Sequence, residues 1–205
     1  MIGIIKYNTG NVKSIESILN FLSVKNKIIT STKDNFKSYK GLILPGVGSM
    51  DPVMKYFNSS KLKDDLFEQI INKKMPILGI CLGMQVLFQS SEESNHVQCL
   101  SLLEGITKKI SNKKKYQHHV GWNRVKLNNS LLAENIKNNS YFYFNHTYSS
   151  HPQKEETTKG VTYYKRKISS IVEEKNIFGL QFHPERSLEN GNKIFSNFVR
   201  ICNQW

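Results

Sequence analysis

Scarcity narrows the class of this 205-residue chain first. Only three cysteines occur, Cys81, Cys99 and Cys202, and none pair at C-x-x-C spacing. A disulfide framework or a cysteine-based zinc site is therefore not expected, and no metal is implied. No stretch approaches the ~18 uninterrupted apolar residues of a membrane span, so no membrane association is expected. The opening run Met1-Ile2-Gly3-Ile4-Ile5-Lys6 is too short for the apolar region of a secretory signal, which sets the expectation of a cytoplasmic protein. Acidic residues are also few: 16 against 29 Lys and Arg, a net charge of +13. Such an excess suits nucleic acid or an acidic partner, but the basic residues are scattered. Lys113-Lys114-Lys115 is the one true run, and no zinc-finger spacing or aromatic RNA-binding motif accompanies it. The excess reads as a solvated surface, with no nucleic-acid partner.

What is present suffices for a core. Hydrophobic residues make up 39% of the chain, and its length predicts one domain over residues 1–205. The first half alternates strand and helix patterns. Ile2–Tyr7 reads as a buried strand, Asn8–Asn11 as a turn and cap, and Val12, Ile15, Ile18, Leu19 and Leu22 as a helix face. Strands follow at Lys27–Thr30, Gly41–Leu44 and Pro76–Ile80, with helical stretches around Leu62–Lys73 and Leu82–Gln89. Short apolar strands alternating with helices predict an α/β fold, a mostly parallel sheet covered by helices on both faces. Sites in such sheets collect at the carboxyl ends of the strands. That edge would carry both Pro45-Gly46-Val47-Gly48 and Cys81.

The second half differs. Val120–Leu127, Ser140–Phe144, Val161–Arg166, Ile168–Glu173 and Ile177–Phe182 are β-like runs between polar turns, which predicts an antiparallel or mixed extension. Asn190–Cys202 closes the chain as a helix with Ile194, Phe195, Phe198 and Ile201 on its apolar face.

Gly79-Ile80-Cys81-Leu82-Gly83 has the G-x-nucleophile-x-G form. A strand turning sharply into a helix holds the middle residue in strained backbone, and the helix N–H groups favour a thiolate. A buried cysteine acting as a small hydrophobe is the other reading. It is adopted for Cys99 and Cys202, whereas the strand–elbow–helix context favours the nucleophile for Cys81. A thiolate needs a base, and the chain has six histidines. His96 and His151 read as ordinary polar residues. His183 precedes Pro184, which biases it to extended backbone, and Glu185 two residues on can lie beside it. Cys81, His183 and Glu185 then form nucleophile, base and orienter. The two glycines of Pro45–Gly48 let backbone N–H groups turn towards an oxyanion, although an ordinary strand-ending turn has the same look.

Leu44-Pro45-Gly46-Val47-Gly48, Gly79–Gln85 and Gln181-Phe182-His183-Pro184-Glu185, in that order, resemble the class I (triad-type) glutamine amidotransferases. His119-Val120-Gly121-Trp122-Asn123 and Tyr141–Tyr148 narrow the likeness to the branch of glutaminase subunits serving imidazole glycerol phosphate synthases of histidine biosynthesis. The likeness covers nearly the whole chain. It implies a flavodoxin-like core and hydrolysis of L-glutamine through a γ-glutamyl thioester, with no cofactor. It implies Cys81 as nucleophile, His183 as acid and base, and Glu185 as orienter. Val47 and Gly48 fall in the oxyanion strand, Leu82 supplies the N–H after the nucleophile, and Gln85, Glu93, Thr147 and Tyr148 hold the substrate.

Free ammonia is mostly protonated at neutral pH and then cannot attack. The resemblance accordingly implies a separate (β/α)8-barrel synthase that receives ammonia through a closed passage, making a heterodimer. Tyr7, Asn8, Gly10, Asn11, His119, Gly121, Trp122, Asn123, Tyr143 and Arg186 match the partner-facing segments. The family pattern is broken at Lys6, Asn8, Val120, Asn145 and Arg186, all near that face. The alternative is a paralogous subunit feeding sugar-nucleotide modification in surface-glycan synthesis. An alternative of another class is a stand-alone cysteine hydrolase. A non-catalytic binding module would leave the intact triad without a use.

Overall fold

The computed structural model describes residues 1–7, 11–30, 36–93, 97–111 and 118–205. Asn8, Gly10, His96 and the Lys113–Lys115 run lie outside the described residues. The elements, in chain order, are β1 (Ile2–Ile5), α1 (Val12–Phe21), β2 (Asn26–Ile29), β3 (Gly41–Leu44), α2 (Met50–Ser59), α3 (Leu62–Phe67), β4 (Ile77–Ile80), α4 (Leu82–Val86), β5 (Ser90–Ser91), β6 (Val97–Gln98), β7 (Gly105–Lys109), β8 (His119–Leu127), β9 (Ser140–His146), β10 (Tyr148–Pro152), β11 (Thr158–Tyr164), β12 (Arg166–Glu174), β13 (Ile177–Leu180) and α5 (Leu188–Gln204).

A nine-stranded sheet has the order β2-β1-β3-β4-β13-β12-β11-β8-β9. Pairing is parallel from β2 through β13 and antiparallel from there to β9. The mixed extension is thus continuous with the parallel core. Alternate residues of the central strands enter two separate cores. Ile5, Leu42, Leu44 and Ile77 pack against residues of α2, α3 and α4. Ile4, Ile43, Leu78 and Ile80 pack against residues of α1 and α5. That is the two-faced burial the apolar strands require. Val12, Ile15 and Leu19 are the buried stripe of α1, and Ile194, Phe195, Phe198 and Ile201 lie in that of α5. None of the described helices is long and apolar enough to cross a membrane.

Three features differ from the sequence expectation. Met50–Ser59 is a helix, with Pro52 tolerated in its first turn, where a proline costs no intrahelical bond. The stretch expected as one helix over 62–73 changes to a π-helical turn at Glu68–Asn72. A second sheet, β10-β7-β5-β6, packs beside the first. It includes strands as short as Ser90–Ser91 and begins where the helix expected to reach Gln89 stops at Val86.

Candidate active site

Register places the chemistry. Leu44 of β3 lies beside Gly79 of β4, and Ile80 of β4 beside Leu180 of β13. Pro45–Gly48, Cys81 and the segment leading to His183 therefore leave one sheet edge side by side. The Cys81 N–H donates to the Leu180 carbonyl at 2.7 Å, tying the elbow to the neighbouring strand. Cys81 has φ 54° and ψ −108°, a region that a side chain seldom occupies, so the sharp turn expected from the glycines is present and strained.

His183 is extended (φ −97°, ψ 96°), as its place before Pro184 requires. Its N–H donates to the Tyr143 carbonyl of β9 at 2.8 Å, and its carbonyl accepts from the Ser187 hydroxyl at 2.7 Å. Glu185 reaches it by a different route from the one expected. Pro184–Arg186 form a 3₁₀ turn rather than continuing the strand, and this turn swings Glu185 Oε1 to 2.8 Å from His183 Nδ1. Both side chains are almost wholly buried, 6% and 2% exposed, and Glu185 Oε2 has no partner among the described residues. Burial opposes a charged imidazole at His183. The negative charge and hydrogen bond of Cys81, followed by those of Glu185, outweigh it and raise the pKa to about 10.

Cys81 and His183 open on one cavity of about 240 Å³, lined also by Val47, Gly48, Leu82, Gln85, Glu93, Asn145, His146, Thr147 and Tyr148. It brings together every residue that the sequence assigned to the substrate, while Glu185 stands behind His183. Gln85 Nε2 donates to the Tyr148 carbonyl at 2.8 Å. Glu93 is half-buried, and desolvation raises its pKa, which the Met50 backbone N–H partly offsets. An ammonium group placed there would reverse that desolvation penalty.

Tyr7 and His119, expected on the partner face, are instead buried, at 3% and 2% exposure. The Tyr7 hydroxyl donates to the Pro45 carbonyl, and its ring packs on Phe57. His119 is sandwiched between Phe144 and Tyr164, because strand alternation turns it inward with Val125. The opposite face of β8 is open: Val120 is 60% and Trp122 48% exposed. Trp122 stands edge-on to Tyr143, and the Arg186 guanidinium lies 4.3 Å from the Tyr143 ring centre. Gly121 and Asn123 are half-buried, and Asn11 sits at the start of α1.

The sequence assigned no site role to Asn145, His146 or Gln181, although Asn145 breaks the family pattern and the other two lie in the motifs that carry the resemblance. His146 shares the inward face of β9 with Phe142 and Phe144, so period-two alternation marks it. Gln181 is fully buried, a polar residue continuing an apolar run.

The class this fold and site define is reached independently by comparison. Residues 4–202 match the family described as glutamine amidotransferase class-I, and the chain belongs to that family. Its full-length relatives share a more particular name. "Imidazole glycerol phosphate synthase subunit HisH" of Methanocaldococcus jannaschii is 41% identical over 98% of this chain and 100% of its own length. The protein of the same name from Leptospira interrogans is 36% identical over 98% and 100%. Among solved structures, "Crystal structure of glutamine amidotransferase" superposes with TM-score 0.77 at 15% identity, covering 98% of each chain. "Structure of PurLQS from Thermotoga maritima" gives 0.75 at 16%, over 98% and 97%. At such identity these two likenesses concern the fold alone.

Proposed function

We propose that residues 1–205 form one glutaminase domain that supplies ammonia to a separate (β/α)8-barrel synthase making imidazole glycerol phosphate. The observation that carries the chemistry is the single cavity holding Cys81 and His183, with Glu185 on the Nδ1 of that histidine. The relatives named HisH support the pathway.

The Cys81 sulfur attacks the side-chain amide carbon of L-glutamine, and the carbonyl oxygen becomes an oxyanion beside the Val47–Gly48 and Leu82 backbone. His183, held protonated by the charge of Cys81 and by Glu185, gives its proton to the departing nitrogen, and ammonia leaves. A γ-glutamyl thioester remains on Cys81. His183 then takes a proton from water, the resulting hydroxide attacks the thioester, and glutamate departs as the sulfur regains its electron pair. Glu185 keeps the histidine ring oriented and stabilises its charge. Glu93 carries the negative charge suited to the substrate ammonium. The face of exposed Val120 and Trp122 with half-buried Tyr143, capped by Arg186, is the surface for the barrel.

The test is glutamate release by the purified chain with its barrel partner, with and without the partner's own substrate. Release that depends on Cys81 and rises with the histidine-pathway intermediate supports this reading. Stimulation by a sugar-nucleotide enzyme instead would move the chain to surface-glycan synthesis. Cleavage of unrelated amides with no glutamine turnover would make it a stand-alone hydrolase.

A further inference from the structure

A chain of hydrogen bonds that starts at half-buried Asn123 and passes through the Tyr148 carbonyl ends on the Cys81 sulfur, and its direction is fixed by backbone groups. At the outer end, Asn123 Oδ1 accepts the Arg124 N–H at 2.8 Å, and Asn123 Nδ2 donates to the Tyr163 carbonyl at 3.3 Å. The amide is thereby oriented, so Nδ2 also donates to His119 Nε2 at 3.2 Å. His119 must then carry its proton on Nδ1, which donates to His146 Nε2 at 3.0 Å. His146 Nδ1 lies 2.7 Å from the Tyr148 carbonyl, which can only accept. Both rings are thus neutral Nδ1–H tautomers, and burial favours this by lowering their pKa values to about 4 at His119 and about 3 at His146.

The Tyr148 carbonyl accepts a second bond, from Gln85 at 2.8 Å, so the Gln85 atom there is the nitrogen. Its other hydrogen points to Gln181 at 3.2 Å, where it needs an acceptor, and this turns Gln181 Oε1 outward. The remaining end of Gln181, its NH₂, lies 3.8 Å from Cys81 Sγ, within reach of the long hydrogen bonds that sulfur accepts. The sulfur's other polar neighbour on that side is the Asn145 carbonyl at 3.8 Å, which can only accept. Gln181 is therefore an amide donor to the sulfur, and had it been flipped the sulfur would face two acceptors.

We propose that Gln181 is a catalytic residue of this site: its amide N–H stabilises negative charge on the Cys81 sulfur, and the Tyr148 carbonyl, acting through Gln85, fixes the end of the amide that the sulfur meets. The donor favours the thiolate that attacks and the thiolate that leaves when the thioester breaks. The outer end of the chain lies on β8, whose opposite face carries exposed Val120 and Trp122. This inference rests on Cys81 being the nucleophile.

The test compares wild type, Gln181→Leu and Gln181→Glu at neutral pH. The readouts are the ultraviolet thiolate band assigned by subtracting Cys81→Ala, and the alkylation rate of Cys81 with Cys99 and Cys202 as internal references. Gln181→Leu removes the donor and should weaken the band and slow alkylation by roughly tenfold, the worth of one charge-assisted hydrogen bond, whereas Gln181→Glu, whose buried carboxyl keeps an O–H donor when protonated, should lose less. In glutamine turnover kcat should fall by about as much, while KM moves less than about threefold; a collapsed pocket would raise KM instead. An unchanged thiolate band and alkylation rate in a folded Gln181→Leu variant overturns the proposal. The band and the alkylation rate need no glutamine. A chain that failed to hydrolyse glutamine would sink the glutaminase reading without touching these readouts.

Discussion

Gly46 and Gly83 meet backbone to backbone. A Cβ on Gly46 would stand 2.2 Å from the Gly83 nitrogen, and one on Gly83 would stand 1.9 Å from the Leu44 carbonyl oxygen. The turn after β3 is thereby seated on the first turn of α4, which begins immediately after Cys81. The proposed oxyanion segment and the nucleophile are positioned by one contact.

Gly83→Ala and Gly46→Ala should each force backbone atoms apart. Overpacking costs ~1–3 kcal/mol where side chains can yield, and more where backbone is struck. Urea unfolding should show a loss at or above the top of that range, with glutamine hydrolysis reduced further than stability alone explains. A wild-type midpoint in Gly83→Ala would contradict the close seating.

The triad should respond in grades. Cys81→Ala should abolish glutamine hydrolysis, since no other described thiol faces the cavity. Glu185→Gln keeps a hydrogen-bonding group near Nδ1 but removes the charge, so kcat should fall roughly a hundredfold or more without vanishing, at little change in KM. Steady-state assays of both variants with the partner present are the check. Equal, complete loss in the two would give Glu185 a larger part than orientation.

Acid should destabilise the fold through the buried histidine pair. The pKa is lowered to about 4 at His119 and about 3 at His146, each from 6.5. Between these values and 6.5 the unfolded chain binds protons that the folded chain refuses. Their contribution to stability is therefore complete above about pH 6.5 and is lost as the pH falls towards 4. The slope is up to about 1.4 kcal/mol per pH unit for each ring. Urea titrations at steps from pH 7.5 to 4.5 measure it, and His119→Phe should flatten the curve.

Trp122→Ala should weaken the barrel complex and leave the isolated chain's unfolding unchanged. Trp122 is 48% exposed and touches Tyr143 edge-on. A central aromatic anchor is worth ~2 kcal/mol or more, so calorimetry should record at least roughly a thirtyfold loss of affinity. Undiminished binding would move the interface off this face.

The central sheet and the elbow were legible because β3, β4 and β13 are apolar on both faces, and such runs end abruptly where the chemistry starts. The small second sheet was not, because Ser90–Ser91 carries no apolar pattern and its pairing comes wholly from tertiary context. Helix α2 was hidden by Pro52 and by the turn residues before it. The proximity of His183 and Glu185 was legible, but the 3₁₀ turn that creates it was not. His119 was misplaced by one strand face: family matching marks a segment, whereas alternation along β8 decides which of its side chains look outward.

Strands β4 and β13 are bonded neighbours, yet everything from β5 to β12 lies between them along the polypeptide. The scissors and their sharpening steel are thus set by the two ends of an excursion whose middle forms the exposed outer face. That excursion also brings Glu93, Thr147 and Tyr148 to the cavity, so only changes to its outward side chains, such as Val120 and Trp122, can redirect where the released nitrogen goes while leaving the cut itself alone.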